Sequence, residues 1–469
     1  MQMPEIKDPV SRTNTQPTYM SALTRYTGHI RPNFLLAYPV MLSMLGQVMT
    51  GVADSVMVGW TGATPLAASS FANIFFTIPL FFGIGVSYAI TPLVAEGAGA
   101  KDTPKIIEVL RHGAMINLLI SFILVGLIFL AEPFMFSMGQ PEDVVALGIP
   151  YLSIVGVSII PTMIFQTYRQ FAEGLERTRM AMVIVIGSNL LNIALNYVLI
   201  FGKLGFPALG LNGAGWATLI SRIVMAICMM LYVYYGKKFI AYRKGFSIGN
   251  YSKTVISKML HIGLPAGSQF IFEAGAFGFS ALMMGWIGTT ALAAHQIAIN
   301  LATISYMTTS GLAAAATIRV GNFLGKRDKE NLQRSAFTMI WMAVALMTAW
   351  ALLFIFGRYF LPALYIDDGA VIELTAGLLI IAAFFQLSDG TQVVCAGALR
   401  GLQDVKVPSI LIFVAYWVIA LPLGYLLAFP LGLGANGIWI GLSIGLTLTA
   451  SAMVLRFWSL SQKIPQSEI

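Results

Sequence analysis

What most constrains this chain is a recurrence. Apolar stretches about twenty residues long return throughout its 469 residues, and several carry no charge. Residues 113–131 (GAMINLLISFILVGLIFLA) and 335–357 (SAFTMIWMAVALMTAWALLFIFG) contain no Asp, Glu, Lys or Arg. A helix needs about 20 apolar residues to cross a hydrocarbon core about 30 Å thick. Barrel strands would be about ten residues long and would alternate apolar with polar. The pattern therefore predicts an all-α integral membrane fold and excludes a barrel. Twelve transmembrane helices are expected, near 33–58, 66–95, 113–131, 144–168, 180–201, 214–235, 259–285, 291–318, 335–357, 370–395, 407–428 and 434–455. The 10% charged content agrees, since a soluble protein carries about 25%.

The charges fall on one side of this pattern. Of 28 Lys and Arg, 25 lie in the termini, the even-numbered loops and a central linker. Lys203 and Arg358 lie in the other loops, and Arg222 falls inside span six. Lys and Arg accumulate on the cytoplasmic side of a membrane protein. Both termini are therefore expected in the cytoplasm and the chain in the plasma (inner) membrane. The net charge of +8 then reads as a topology signal, and no nucleic-acid partner is expected. The first 30 residues are polar, so no cleavable signal peptide is expected. Cys228 and Cys395 sit in apolar stretches and form no disulfide framework or CxxC metal motif.

The sequence also repeats. A shift of 226 residues sets Pro39 on Pro265 and runs without a gap through Asp102 and Asp328. Residues 57–68 (MVGWTGATPLAA) fall on 283–294 (MMGWIGTTALAA) with eight of twelve identical. GLNGAGW (210–216) echoes GANGIW (434–439). Six spans per repeat is an even number, so the halves share one orientation, as in transporters with parallel repeats and a cavity between lobes. The expected organisation is a tail over 1–32, a lobe over 33–236, a basic linker over 237–258, a second lobe over 259–456 and a tail over 457–469. Pro39, Pro161 and Pro265 are expected to bend their helices.

Polar residues inside the spans carry the functional reading. An acid at a helix centre costs at least about 2.5–3.5 kcal/mol on insertion scales. Asp54, Glu273 and Asp389 all lie there, with Arg222 the one base inside a span. One base cannot pair three acids, so the acids read as cation or proton sites. Gln47, Thr50 and Asp54 share one helical face, as do Gln269, Glu273 and Ser280. The repeat places Gln47 on Glu273 and Asp54 on Ser280, so the two acids differ in depth by seven residues, about 10 Å of helix. Asn189, Asn192 and Asn196 form a third stripe. They read either as interhelical bonds worth about 0.6 kcal/mol each or as partners of Asp54. Gln386 accompanies Asp389. His295, without acidic or basic neighbours in sequence, reads as structural. No Walker A or HExxH motif is present. Neither enzymatic activity nor a cofactor is expected, and energy would come from an ion gradient.

The segments AYPVMLSMLGQVMTGVADSVMVGW, NLLNIALNYVLIFGKLGFPALGLNGAGWAT, TIRVGNFLGKRD and QLSDGTQVVCAGALRGLQDVKVP resemble the MATE (multidrug and toxic compound extrusion) family, on its bacterial NorM-like branch. The resemblance covers residues 33–456. It implies a secondary antiporter that exports cationic amphipathic drugs or dyes in exchange for Na+ or H+. Asp54, Asn192 and Asn196 match the family's N-lobe polar cluster, and Glu273 and Asp389 its C-lobe cation pair. One departure stands out: Phe385 occupies a position where some sodium-coupled relatives have tyrosine. Glu273 and Asp389 favour Na+ as the bound metal ion. The missing phenol, and Phe384 drying the site, leave H+ open, as does Asp54. A lipid-linked precursor flippase of the same superfamily is the alternative, but it would need a cationic cavity. Oligomeric state is not legible.

Overall fold

The structure, a computed structural model, describes residues 18–247 and 249–465. Lys7 and Arg12 of the expected tail lie outside them. Among the described residues the chain is helical throughout: α1 Thr18–Gly59, α2 Ala63–Gly99, α3 Thr103–Met135, α4 Glu142–Gly174, α5 Arg179–Phe201, α6 Gly210–Tyr235, α7 Lys253–Ile287, α8 Thr289–Gly325, α9 Lys329–Phe356, α10 Gly369–Gly401, α11 Lys406–Ala428 and α12 Gly434–Gln462. Eleven of these are long and apolar enough to cross a membrane. The exception to the expected twelve is α8. Its 37 residues suffice in length, but His295, Gln296, Asn300, Thr303 and Ser305 lower its hydropathy. It packs against α1, α2, α9 and α10, where a helix need not be apolar all round. Helices also run beyond the expected spans: α1 begins within the expected tail and α12 ends at Gln462. A 3₁₀ segment, Lys237–Phe246, leads from α6 towards α7.

The proline expectations divide. α1 and α7 run unbroken through Pro39 and Pro265. The breaks fall in α2 after Ser87 and in α4 at Ser158. Each lies just before a proline, Pro92 and Pro161, whose ring clashes with the carbonyl four residues earlier.

The repeat is built into backbone and caps. Asp102 and Asp328, 226 residues apart, each cap a helix by accepting a backbone N–H, from Lys105 at 3.0 Å and Asn331 at 3.1 Å. Such a cap stabilises a helix start by about 1 kcal/mol. The mates Lys101 and Arg327 both adopt left-handed φ, 57° and 55°. Gly62 and Gly288, also mates, turn the chain with φ of 133° and 151°.

Two apolar cores result, one per half, and they exchange parts. Leu36 and Ala37 of α1 pack in the core of the second half. Met259, Ile262 and Ala266 of α7 pack in the core of the first. Between the halves, small residues let backbones touch. A Cβ on Gly99 would stand 1.9 Å from the Asn322 carbonyl oxygen, and one on Gly325 2.0 Å from that of Glu96. Gly99 and Gly325 are repeat mates, and so are Glu96 and Asn322. The contact therefore marks the pseudo-twofold axis. Around it Glu96 accepts from Gln403 Nε2 at 2.5 Å and pairs with Lys105 at 2.8 Å. Asn33 donates to the Ser335 carbonyl at 3.2 Å. Among the described residues, every hydrogen bond and ion pair between the halves lies at this basic end of the bundle. At the other end the mates Trp60 and Trp286 are 70% and 60% exposed.

Candidate cation and substrate sites

The three acids resolve into two polar sites, one in each half. In the second half α7 supplies Glu273 and α10 supplies Asp389, which is 6% exposed. The two carboxylates are close enough to repel each other. Gln392, one turn beyond Asp389 on α10, donates its Nε2 to Glu273 Oε1 at 2.9 Å. Its amide also faces the Tyr416 hydroxyl of α11, at 3.4 and 3.5 Å. Tyr306 of α8 lies within electrostatic reach of both acids. Gln386 is fully buried. Its Oε1 accepts from Ser305 Oγ at 2.9 Å while its Nε2 has no partner. An ionised carboxylate held by one neutral amide in a low-dielectric interior is far from compensated. Two carboxylates, an amide carbonyl and a phenol are hard oxygen donors of the kind that alkali cations take. Among the described residues no third carboxylate, His or Cys joins them.

In the first half Asn196 of α5 donates to Asp54 Oδ1 at 2.5 Å. Asn196 Nδ2 also reaches Asn192 Oδ1 at 3.4 Å, and Asn192 in turn donates to Thr218 of α6 at the same distance. Of the two readings of the asparagine stripe, partnership with Asp54 is thus the one realised by Asn196. Arg222 is close enough for its charge to act on Asp54. Its Nη1 donates to Ser158 Oγ at 2.7 Å, at the break in α4, and its guanidinium lies over the Phe76 ring at 5.0 Å.

Not every expected residue joins these sites. Thr50 and Ser280 hydroxyls bond to carbonyls of their own helices, Gly46 at 2.9 Å and Phe277 at 2.7 Å. Gln47 is exposed and Gln269 is buried, and neither makes a side-chain hydrogen bond among the described residues. Asn189 Nδ2 is buried without a partner and faces Gly46. His295 accepts from Trp439 Nε1 at 3.2 Å, in keeping with its structural reading.

Three expectations need correction. Phe384 does not dry the site: it is 69% exposed, in a groove with Ile380, Ile444 and Leu448. Arg222 is not the only base within the helices. Arg169, read as a loop residue, lies in α4 at 1% exposure and bonds Glu173 at 2.7 Å. Arg400, at the end of α10, is near enough to act on Glu273 and stacks on Tyr88 of the first half at 4.7 Å. The phenol absent at Phe385 has a neighbour instead in Tyr416. Gln392 was legible as the turn after Asp389 on a polar side of α10. Tyr416 and Arg400 had no such signal.

The MatE family model matches residues 39–198 and again 265–426, and the two matches begin 226 residues apart. A probable multidrug resistance protein NorM of Bradyrhizobium diazoefficiens is 35% identical over 433 residues, 92% of this chain and 93% of the relative. The multidrug resistance protein NorM of Vibrio vulnificus is 34% identical, over 92% of this chain and 96% of its own. The crystal structure of a MATE in the bent conformation superposes with a TM-score of 0.85 at 20% identity, over 94% of this chain and 97% of that one. A family match covering both repeats, with relatives of this identity along nearly their full length, places the chain in the MatE family, alongside the bacterial NorM proteins.

Proposed function

We propose that this protein is a secondary multidrug efflux antiporter that exports cationic amphipathic compounds in exchange for Na+ or H+. In this reading twelve helices cross the inner membrane, with α8 as the interior crossing and both termini in the cytoplasm. The observation that carries it is the acid pair of buried Asp389 and half-buried Glu273 in an apolar bundle, with a neutral amide as the one hydrogen-bond partner of Glu273. Carboxylates in such a setting attract a cation or a proton. An ion that binds one arrangement of the halves more tightly shifts the balance between arrangements by that difference in affinity. A cationic drug and the coupling ion would compete for the same charge. Drug release to the outside would then follow ion entry. Asp54 with Asn192 and Asn196 forms a second acidic site in the first half, suited to drug or proton. The names of the NorM relatives support the substrate class. Three intramembrane acids speak against the lipid-linked precursor flippase, whose pyrophosphate needs a cationic cavity.

The test is ethidium efflux in everted vesicles with Na+ and pH gradients imposed separately. Glu273→Gln and Asp389→Asn are each expected to lose most of the driven efflux, and wild-type rates in both would overturn the reading. Na+ is the preferred coupling ion because it draws on the several oxygens at this pair. Efflux unchanged when choline replaces Na+ at fixed pH would assign coupling to H+.

A further inference from the structure

Gln392 stands at the meeting point of three helices. It is 1% exposed on α10, its Nε2 donates to Glu273 of α7 at 2.9 Å, and its amide faces Tyr416 of α11. The Tyr416 hydroxyl is 3.4 Å from Nε2 and 3.5 Å from Oε1. Both distances are at the outer limit of a hydrogen bond. The phenol, itself 1% exposed, therefore holds the amide in neither orientation. A hydroxyl donates or accepts by turning its hydrogen. The last torsion of a glutamine is broad and roughly two-fold. Gln386, on the same helix, differs: its carbonyl is already taken by Ser305 at 2.9 Å.

The backbone carrying Tyr416 is unusual as well. α11 widens to a π-helical stretch over Val414–Ala420, a form that recurs at functional sites. Trp417 within it donates its indole N–H to the Phe272 carbonyl at 3.0 Å. Its ring so closely covers Gly275 that a Cβ there would stand 2.9 Å away. The residue beside Tyr416 thus clamps α11 onto α7 on both sides of Glu273.

We propose that Gln392 is a rotating amide that completes the cation site, with Tyr416 as its positioning residue. Without the cation, Nε2 holds the Glu273 carboxylate and the Tyr416 hydroxyl donates to Oε1. A cation arriving between Glu273 and Asp389 repels the amide N–H groups and attracts the amide oxygen. The amide turns, Oε1 becomes a neutral ligand, and the Tyr416 hydroxyl accepts from Nε2. The change of partner needs no movement of the helices. It rests on the reading of Glu273 and Asp389 as the cation site.

Binding of ²²Na+ to the purified full-length protein at fixed pH tests it, with thermal melting followed on the same samples. Gln392→Leu is expected to weaken Na+ binding about tenfold or more, the range seen when residues supporting a metal site are removed. Tyr416→Phe is expected to weaken it severalfold, and both variants still melt cooperatively in Na+-free buffer. Wild-type Na+ affinity in Gln392→Leu overturns the inference. Loss of that cooperative melting together with Na+ binding in both variants also overturns it, because that marks a general packing role. Glu273→Gln separates the two levels. Undiminished Na+ binding there refutes the cation site itself, whereas loss there with retention in Gln392→Leu refutes only the rotating amide.

Discussion

The crossing of Gly99 and Gly325 allows one prediction to be worked through. Gly99→Ala places a Cβ 1.9 Å from the Asn322 carbonyl oxygen and 2.9 Å from its carbon. An ordinary carbon–oxygen contact is about 3.3 Å, so α2 and α8 must part by somewhat over 1 Å while the basic end stays closed. The obstructing atoms are backbone, and no side chain can swing aside. Overpacking costs about 1–3 kcal/mol, and a backbone clash belongs at the upper end. About 3 kcal/mol corresponds to roughly a 150-fold shift against the closed arrangement. Alanine favours a helix by about 1 kcal/mol over glycine, so folding of α2 itself is not penalised. Gly325→Ala repeats the clash against the Glu96 carbonyl oxygen at 2.0 Å. One separation relieves both, so the double variant should cost less than the sum. Spin labels on the exposed mates Lys101 and Arg327, in a background lacking Cys228 and Cys395, report the distance across the axis. Each variant should move the distribution to longer distances and slow efflux. Wild-type distances and rates in the double variant would show that this contact does not close the bundle.

Other expectations follow from single contacts. Arg169→Ala leaves Glu173 buried and unpaired, so it should cost about 3–5 kcal/mol, read as a marked fall in the detergent melting temperature; Arg169→Lys should recover only part. Asn196→Leu removes the 2.5 Å bond to Asp54 and should cost about 1–3 kcal/mol, with efflux impaired as severely as in Asp54→Asn if the two act together. Tyr88→Leu removes the ring under Arg400 and should weaken the hold between halves by about 0.5–2 kcal/mol, lengthening the same spin-label distance, while Tyr88→Phe should not.

Much of the fold could be read from the residues because the bilayer imposes a simple rule on them. Apart from the basic linker the charged loops are short and every crossing is long, so apolar length alone sets most boundaries. α8 was legible by its length but is less apolar than the other crossings, since much of its surface packs against neighbouring helices. The capping pair Asp102 and Asp328 was visible as a shared loop, and the stripe of Asn192 and Asn196 as a helical period that does face Asp54. Pairings between distant helices were not legible. Nothing in the local sequence of Tyr416 or Arg400 announces Glu273 as a neighbour, since the crossing of α7, α10 and α11 fixes those contacts. Phe384 and Phe385 show the limit most simply. They are adjacent in sequence, yet one is 69% exposed and the other 3%, because successive residues of a helix point about 100° apart.

The exchange of core residues between α1 and α7 bears on how the protein is made. A chain leaving the ribosome completes its first six helices before Met259, Ile262 and Ala266 exist, and the pocket they fill in that half's core stays open until α7 arrives. Leu36 and Ala37, made first, must wait still longer for the helices of the second half that receive them. Early-made helices of a large protein ordinarily pack into a finished unit before later ones appear. Here neither half is finished alone. A fragment ending in the linker would carry both an unfilled pocket and an unhoused helix segment, and two such fragments produced together would each supply what the other lacks.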